Sequence, residues 1–236
     1  MSYRLGVDVG GTFTDLLLHD TDSGQVWLAK TRSTPEDQSK GVLEGVRLIT
    51  ERAGIKAEDI EAILHGTTVA TNAVLERRGA RVGLLVTEGY RHILHLAEAW
   101  TPGPLFGFLI YDKPEPLVDI DDIRELPGRI DASGAEVRPL DDEAVRQAVA
   151  ELRDAGVEAL TVSLFNSFAA PEHEQRVAEI AKELAPSLPV SISSEIMPEF
   201  REYERTVTTV VNAYVSPALD RYLSNLGKGL KERDVK

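Results

Sequence analysis

The run Val7-Asp8-Val9-Gly10-Gly11-Thr12-Phe13-Thr14-Asp15 places one carboxylate on each side of a glycine pair, with two threonine hydroxyls between the glycines and the second acid. Glycines let a backbone approach an anion closely, and successive N–H groups at such a turn form a concave nest for phosphate. Asp8 is badly placed against a bare phosphate. It is well placed if Mg²⁺, still carrying waters, bridges the carboxylate to phosphate oxygens. Asp8 and Asp15 are therefore candidate catalytic acids, with Asp8 the candidate metal ligand, and Gly10, Gly11, Thr12 and Thr14 are candidate phosphate contacts. The competing reading is a plain hairpin with a Gly-Gly turn and two solvent-facing acids. A dinucleotide fold is excluded, because G-x-G-x-x-G is absent and the turn leads into a strand; no G-x-x-x-x-G-K-[ST] loop occurs either.

Three further constellations carry polar chemistry. His65-Gly66-Thr67-Thr68 follows a short apolar run, so Thr67, Thr68 and Asn72 would stand at the carboxyl end of a strand, where open α/β sheets bind ligands. The alternative is that a threonine only caps the next helix. Arg201, Arg205, Thr208 and Asn212 share a stripe at helical spacing, which points to an anion or inter-domain contact for the two arginines, against a solvated helix face. His92 and His95 stand at i, i+3 and lack a located third ligand.

The elements that must position these residues follow from periodicity. Residues 3–9, 13–20 and 25–31 alternate as strands of an antiparallel meander, the last two joined by the turn Asp22-Ser23-Gly24. A helix is expected from Thr34 as N-cap, with Pro35 at its first position, to about Gly54, followed by a short buried strand 60–64, a helix 69–78 ended by Gly79, and a strand 81–86. Residues 101–139 are punctuated by prolines and predict an irregular excursion, with Trp100–Phe108 a packed loop or an interface. Alternation resumes with helix 141–155 (Asp141 N-cap, Gly156 following), strand 158–164, helix 171–184, strand 189–193 and a helix from Pro198 to Val215 whose apolar face is Phe200, Tyr203, Val207, Val210, Val211 and Tyr214. This predicts an α/β chain with a mostly parallel sheet and helices on both faces, in the strand order of a ribonuclease-H-like domain.

Composition bounds the function classes. A net charge of −13 over 236 residues repels a phosphate backbone, so nucleic acid and anionic membranes are not expected partners, and any phosphate must be held locally. The absence of cysteine excludes disulfides, cysteine-held zinc, iron–sulfur clusters and a thiol nucleophile. No leader pattern and no apolar run of about 20 residues is found, and a cytoplasmic protein is expected.

The segment GVDVGGTFTD resembles the first phosphate motif of the hydantoinase A, 5-oxoprolinase and acetone carboxylase family, which belongs to the sugar kinase, Hsp70 and actin superfamily. His65 to Val74 and Ser194 to Pro217 resemble two further family segments, in family order. The resemblance implies the N-terminal half of a bilobal actin-like ATPase, with residues 1–195 forming the ribonuclease-H-like domain and 196–236 opening a second, helical module. It implies ATP and Mg²⁺ as cofactors, and Gly10, Gly11, Thr12, Thr14, Thr67, Thr68, Asn72, Arg201 and Arg205 as cofactor contacts. The implied activity is an ATP-dependent opening of a small cyclic amide by phosphorylation of its ring carbonyl; the alternatives are an acetone or acetophenone carboxylase subunit, or a noncatalytic interaction module. The family's second glycine turn and adenosine-binding region are not found here. A hydantoinase B-like subunit, or the other half of the fold, is thus an expected partner, within an oligomer. An activator ATPase of the benzoyl-CoA reductase kind needs cluster-binding cysteines and is excluded by their absence.

Overall fold

Alternation at period two builds the first sheet. In β1 (Tyr3–Val9) the side chains of Tyr3, Leu5, Val7 and Val9 are buried while Arg4 and Asp8 are exposed, and β2 (Phe13–Asp20) buries Thr14, Leu16 and Leu18. With β3 (Val26–Arg32) they make the expected meander, and β4 (Ile60–Thr67) lies parallel to β1 on its other side, in the order β3-β2-β1-β4. The structure is a computed structural model that describes residues 2–34, 36–98 and 113–235. The chain divides into two compact units, Met1–Arg78 with Ala218–Lys236, and Gly79–Pro217.

In the first unit, α1 (Gln38–Ala53) buries Val42, Val46 and Ile49 against Leu5, Val7, Leu16 and Leu18. Gly45 makes this close approach possible, since a Cβ there would stand 2.3 Å from Leu16 Cδ1. The helix does not start at Thr34. Asp37 is its cap, accepting the Ser39 N–H at 3.1 Å, because a carboxylate answers the positive end of the helix dipole better than a hydroxyl does; Pro35 lies outside the described residues. β4 runs three residues past the expected end at Leu64, since His65, Gly66 and Thr67 pair with Val7, Asp8 and Val9. The short helix α2 (Val69–Leu75) stops well before Gly79, with Arg77 left-handed at φ 52°.

The second unit carries a four-stranded parallel sheet, β10-β9-β5-β6. Its chain order is β5 (Val82–Thr87), α3 (Ile93–Leu96), β6 (Ile123–Leu126), the ribbon β7 (Arg129–Ile130) and β8 (Glu136–Arg138), α4 (Asp142–Asp154), β9 (Ala159–Ser163), α5 (Glu172–Leu184), β10 (Val190–Ile192), α6 (Ser193–Ile196) and α7 (Glu202–Lys231). β5 and β9 are buried along their whole length, as continuous apolar runs in parallel sheets are. Asp141 caps α4 through the N–H groups of Glu143 and Ala144, and Gly156 takes φ 82° beyond its end, both as expected. The proline-rich excursion thus contributes an edge strand and a ribbon; Trp100–Phe108 lies outside the described residues. Gly79 serves packing, because a Cβ there would come within 2.1 Å of the Tyr214 ring.

α7 departs most from expectation. It begins at Glu202 and continues through Pro217 to Lys231, with the Ser216 hydroxyl bonding the Asn212 carbonyl at 2.7 Å next to the proline. Its buried positions in the second unit are Arg205, Thr206, Thr209, Val210, Ala213 and Tyr214, whereas Phe200 precedes the helix and is exposed. Thr206 and Thr209 are suited to a buried face because each hydroxyl bonds the carbonyl four residues back, Glu202 O at 2.6 Å and Arg205 O at 2.7 Å. No described helix is long and apolar enough to cross a membrane.

Candidate phosphate and cation site

β1 and β4 run parallel and end level, with Val9 opposite Thr67, so the turns that follow them meet at one corner of the first unit. At the first turn, Gly10 N–H closes onto Phe13 O at 3.0 Å. The N–H groups of Gly11 and Thr12 find no acceptor among the described residues. Neither Gly10 nor Gly11 has a positive φ, so left-handed geometry is not what calls for glycine here. Space is: a Cβ on Gly10 would lie 3.2 Å from Phe13 O, and one on Gly11 would lie 3.3 Å from Asn72 Nδ2.

The second turn locks onto the first. Thr68 sends both its N–H and its hydroxyl to Val9 O, at 3.1 and 3.2 Å, and Asn72 Nδ2 donates to Thr68 Oγ1 at 3.2 Å. Thr67 takes the capping part, its hydroxyl accepting the Val69 N–H at 3.2 Å. Thr67 thus braces the start of the helix, while Thr68 ties the two turns together. Gly10, Gly11, Thr12, Thr67, Thr68 and Asn72 are brought together at the carboxyl ends of two parallel strands.

The acids lie on the adjoining sheet face. Asp8 stands directly opposite Asp15 across the β1–β2 ladder, an arrangement of like charges that costs stability unless cations answer it. Lys30, opposite Asp15 on β3, answers one at 3.0 Å. Asp8 has no hydrogen bond or ion pair among the described residues, and its other neighbour is Gly66, whose absent Cβ would sit 3.6 Å from Asp8 Oδ1. A lone carboxylate beside free N–H donors fits a hard divalent cation together with a phosphate. No group of three His, Asp or Glu able to hold a metal occurs among the described residues, so such a cation would complete its shell from water and phosphate. That also leaves His92 and His95 without a third ligand.

Thr14, Arg205 and Arg201 are the exceptions. Period two turns Thr14 to the covered face of β2, where it is fully buried 3.3 Å from Ser33 Oγ. Arg205 belongs to the second unit and is 1 % exposed. Its guanidinium uses four of its five N–H groups on Ser193 Oγ, Glu199 O and Leu164 O at 2.9–3.0 Å and on the Glu202 carboxylate, all inside the second unit. Arg201 lies outside the helix at φ 94° and pairs with Glu204 on the surface, so the expected stripe splits between interior and solvent.

A cleft of about 280 Å³ opens beside the corner, lined by Gly11, Asp37, Asn72, Arg221, Tyr222 and Asn225. Asp37 accepts from Asn225 at 3.3 Å, and Tyr222 hydrogen-bonds His65 Nε2. Burial, and secondarily the charge of Asp37, pushes the Tyr222 phenol up to about 12, while burial holds the His65 imidazole below its ordinary value. No sequence pattern pointed to Asp37, Tyr222 or Asn225. They reach the corner across 157 and 188 residues of chain, and local spacing carries no trace of such contacts.

Residues 4–185 match the family model described as the hydantoinase/oxoprolinase N-terminal region. The caprolactamase subunit alpha of Pseudomonas jessenii is 38% identical to 95% of this chain, and the acetophenone carboxylase gamma subunit of Aromatoleum aromaticum is 39% identical to 91% of it. Those matches cover 33% and 31% of the relatives, so the chain spans about a third of their length. The nucleotide-free structure of acetone carboxylase, an enzyme of ATP-dependent acetone carboxylation, superposes with a TM-score of 0.89 at 28% identity, over 99% of this chain and 35% of its own. These matches agree on the α/β, ribonuclease-H-like architecture as the N-terminal part of longer chains, and the protein belongs to the hydantoinase/oxoprolinase N-terminal family.

Proposed function

We propose that this chain is the phosphate-cradling part of an ATP-dependent enzyme that activates a small cyclic amide, of the hydantoinase or 5-oxoprolinase type. The observation that carries the reading is the Asp8 carboxylate, unpaired among the described residues, opposed to Asp15 and three and four residues from Gly11 and Thr12, whose N–H groups have no acceptor there. The residues fit Mg²⁺ at Asp8, with Asp15 and Lys30 setting the charge beside it and Thr12, Thr68 and Asn72 lining the phosphate side. Bound there, the cation would supply charge neutralisation for phosphoryl transfer from ATP to a carbonyl oxygen, which makes that carbon open to water. The chain's own part is positional: Gly11 and Thr12 present N–H donors, and Thr68 ties the two turns into one frame.

An acetone or acetophenone carboxylase subunit is the second reading, favoured by the 39% identity to a carboxylase subunit beside 38% to a caprolactamase subunit. In either case residues 196–236 would open a second module, and the adenosine grip would come from that further part or from a hydantoinase B-like subunit, in the cytoplasm. Taken without such a further part, these 236 residues should bind MgATP only near the millimolar range, about 4 kcal/mol weaker than a micromolar site. Calorimetry with MgATP tests the assignment: weak heat that vanishes in Asp8→Asn supports it, and equal binding by both proteins sinks it.

A further inference from the structure

Two helices of the first unit face each other across a gap. Val69, Asn72, Ala73 and Glu76 line it from α2 and its cap, and Ala218, Arg221, Tyr222 and Asn225 line it from α7. Both sets follow i, i+3, i+4, i+7, so each is a single helix face. The gap is the cleft of about 280 Å³ beside the phosphate corner, and it stays open because Ala73 and Ala218 stand where longer side chains would close it. Val69, Ala73 and Tyr222 are buried and give it an apolar floor, the Tyr222 hydroxyl being engaged by His65.

The polar groups at the rim are unevenly satisfied. Glu76 pairs with Arg78 at 3.0 Å, and Asp37 is taken up by Ser39 and Asn225. Because a carboxylate only accepts, Asn225 must turn its amide nitrogen to Asp37, which leaves its carbonyl oxygen open to a donor. Arg221 has no side-chain hydrogen bond or ion pair among the described residues. The phosphate corner thus accounts for one end of the cleft, through Gly11 and Asn72. The remainder holds a guanidinium and an amide oxygen with nothing to bind.

We propose that this cleft holds the acceptor of the phosphoryl group, and that the acceptor is a small ring amide with a carboxylate on the carbon next to its nitrogen. Arg221 takes the carboxylate through its planar fork, and Asn225 Oδ1 takes the ring N–H. Arg221 and Asn225 are one helical turn apart, about 5.4 Å along the axis, so the two ligand groups are neighbours on the ring. The ring carbonyl then lies on the other side of the nitrogen, toward Gly11 and the phosphate. A volume of about 280 Å³ is at the small end of ligand sites, as a five- or six-membered ring requires. A simple ketone has no anion for Arg221 and no N–H for Asn225, so the cleft favours the cyclic-amide reading over the carboxylase one. The orientation of the ring rests on the phosphate-site reading; the cleft and its preference for an anionic ring amide do not.

A chemical-shift titration of the full chain tests this, with 5-oxoproline as the anionic ring amide and 2-pyrrolidone as the same ring without the carboxylate. 5-Oxoproline should bind with a dissociation constant on the order of 1 mM, and 2-pyrrolidone at least about tenfold more weakly. Arg221→Gln should weaken 5-oxoproline about tenfold and leave 2-pyrrolidone unchanged. Ala218→Leu, at a partly exposed position, should weaken 5-oxoproline about tenfold by filling the gap, with circular dichroism unaltered. Failure of 5-oxoproline to bind, equal affinity for the two rings, or an Arg221→Gln or Ala218→Leu chain that binds 5-oxoproline as before would each overturn the proposal. MgATP keeps the two readings apart. Asp8→Asn should remove MgATP binding and leave 5-oxoproline binding untouched, so a failed phosphate site shows only with MgATP and a failed ring subsite only with the rings.

Discussion

Replacing Arg205 by alanine should be the most damaging single change in the second unit, although its spacing with Arg201, Thr208 and Asn212 points to a contact with an anion or another domain. The side chain is 1 % exposed, and its guanidinium bonds Ser193 Oγ at 3.0 Å, Glu199 O at 3.0 Å and Leu164 O at 2.9 Å, pairs with Glu202, and lies 5.5 Å from the centre of the Phe168 ring. Removing one member of a buried pair strands the other charge, at a cost of about 3–5 kcal/mol. Each carbonyl left without a donor adds about 1–3 kcal/mol unless water enters the hole. With partial rehydration the sum is about 4 kcal/mol, a large share of the roughly 5–15 kcal/mol that holds a domain together. Urea unfolding followed by far-ultraviolet circular dichroism should show the midpoint falling by about 2 M at an unchanged slope. Arg201→Ala, which loses only an exposed pair to Glu204, should cost no more than about 1 kcal/mol in the same assay. Arg205→Met combined with Glu202→Gln should recover much of the loss, since no charge is then buried alone. If Arg205→Ala costs less than about 1 kcal/mol, the guanidinium network is not what holds these segments, and the argument from burial is wrong.

Asp8→Asn relieves the opposition to Asp15, so the isolated chain should be unchanged or stabilised by up to about 1 kcal/mol, while an enzyme containing it should lose phosphate release; a marked drop in thermal midpoint would mean that Asp8 has a structural role. Gly79→Ala, which forces a Cβ to within 2.1 Å of the Tyr214 ring, should destabilise by about 1–3 kcal/mol in chemical unfolding, and a silent substitution would show that the ring moves freely. Because burial lowers the His65 pKa in the folded chain, the neutral imidazole is the form that folding favours, and its contribution is present above the ordinary value of about 6.5 and is lost as pH falls below it. His65→Gln should therefore flatten the fall in thermal midpoint between about pH 6.5 and pH 5, and an unaltered pH profile would remove His65 as its source.

Much of the first sheet was legible because period-two burial is local information. Tyr3, Leu5, Val7 and Val9 announce β1, and the glycine pair with its flanking acids announces a site, without reference to anything distant. What failed depended on the far side of a contact. Thr14 reads as a hydroxyl donor in the motif, yet parity along β2 sends it into the core. Arg205 reads as an anion or inter-domain contact, and only the convergence of Leu164, Ser193, Glu199 and Glu202 shows where its guanidinium goes. β4 runs past its expected end because Gly66, a weak strand former alone, hides the extension, and pairing with β1 overrides that preference. α7 runs past the expected end at Val215 and through Pro217, and the Ser216 bond to the Asn212 carbonyl beside that proline has no signature in spacing.

The first unit is discontinuous, closing only when residues 218–236 return to it, whereas the second is one unbroken stretch. During synthesis at about 5–20 residues per second, the leading 78 residues therefore leave the ribosome before Tyr222 and Leu226, two members of their core, have been made. For the roughly 10 seconds that separate them, the ribosome-bound chain presents a sheet short of part of its cover on one side and carrying the exposed Leu17, Leu28 and Leu64 on the other. The intervening unit, complete in itself, is free to fold first. A chaperone that binds this nascent chain should thus engage the earliest part of the sequence and release it last, reversing the usual order in which the N-terminal segment is the first to be safe.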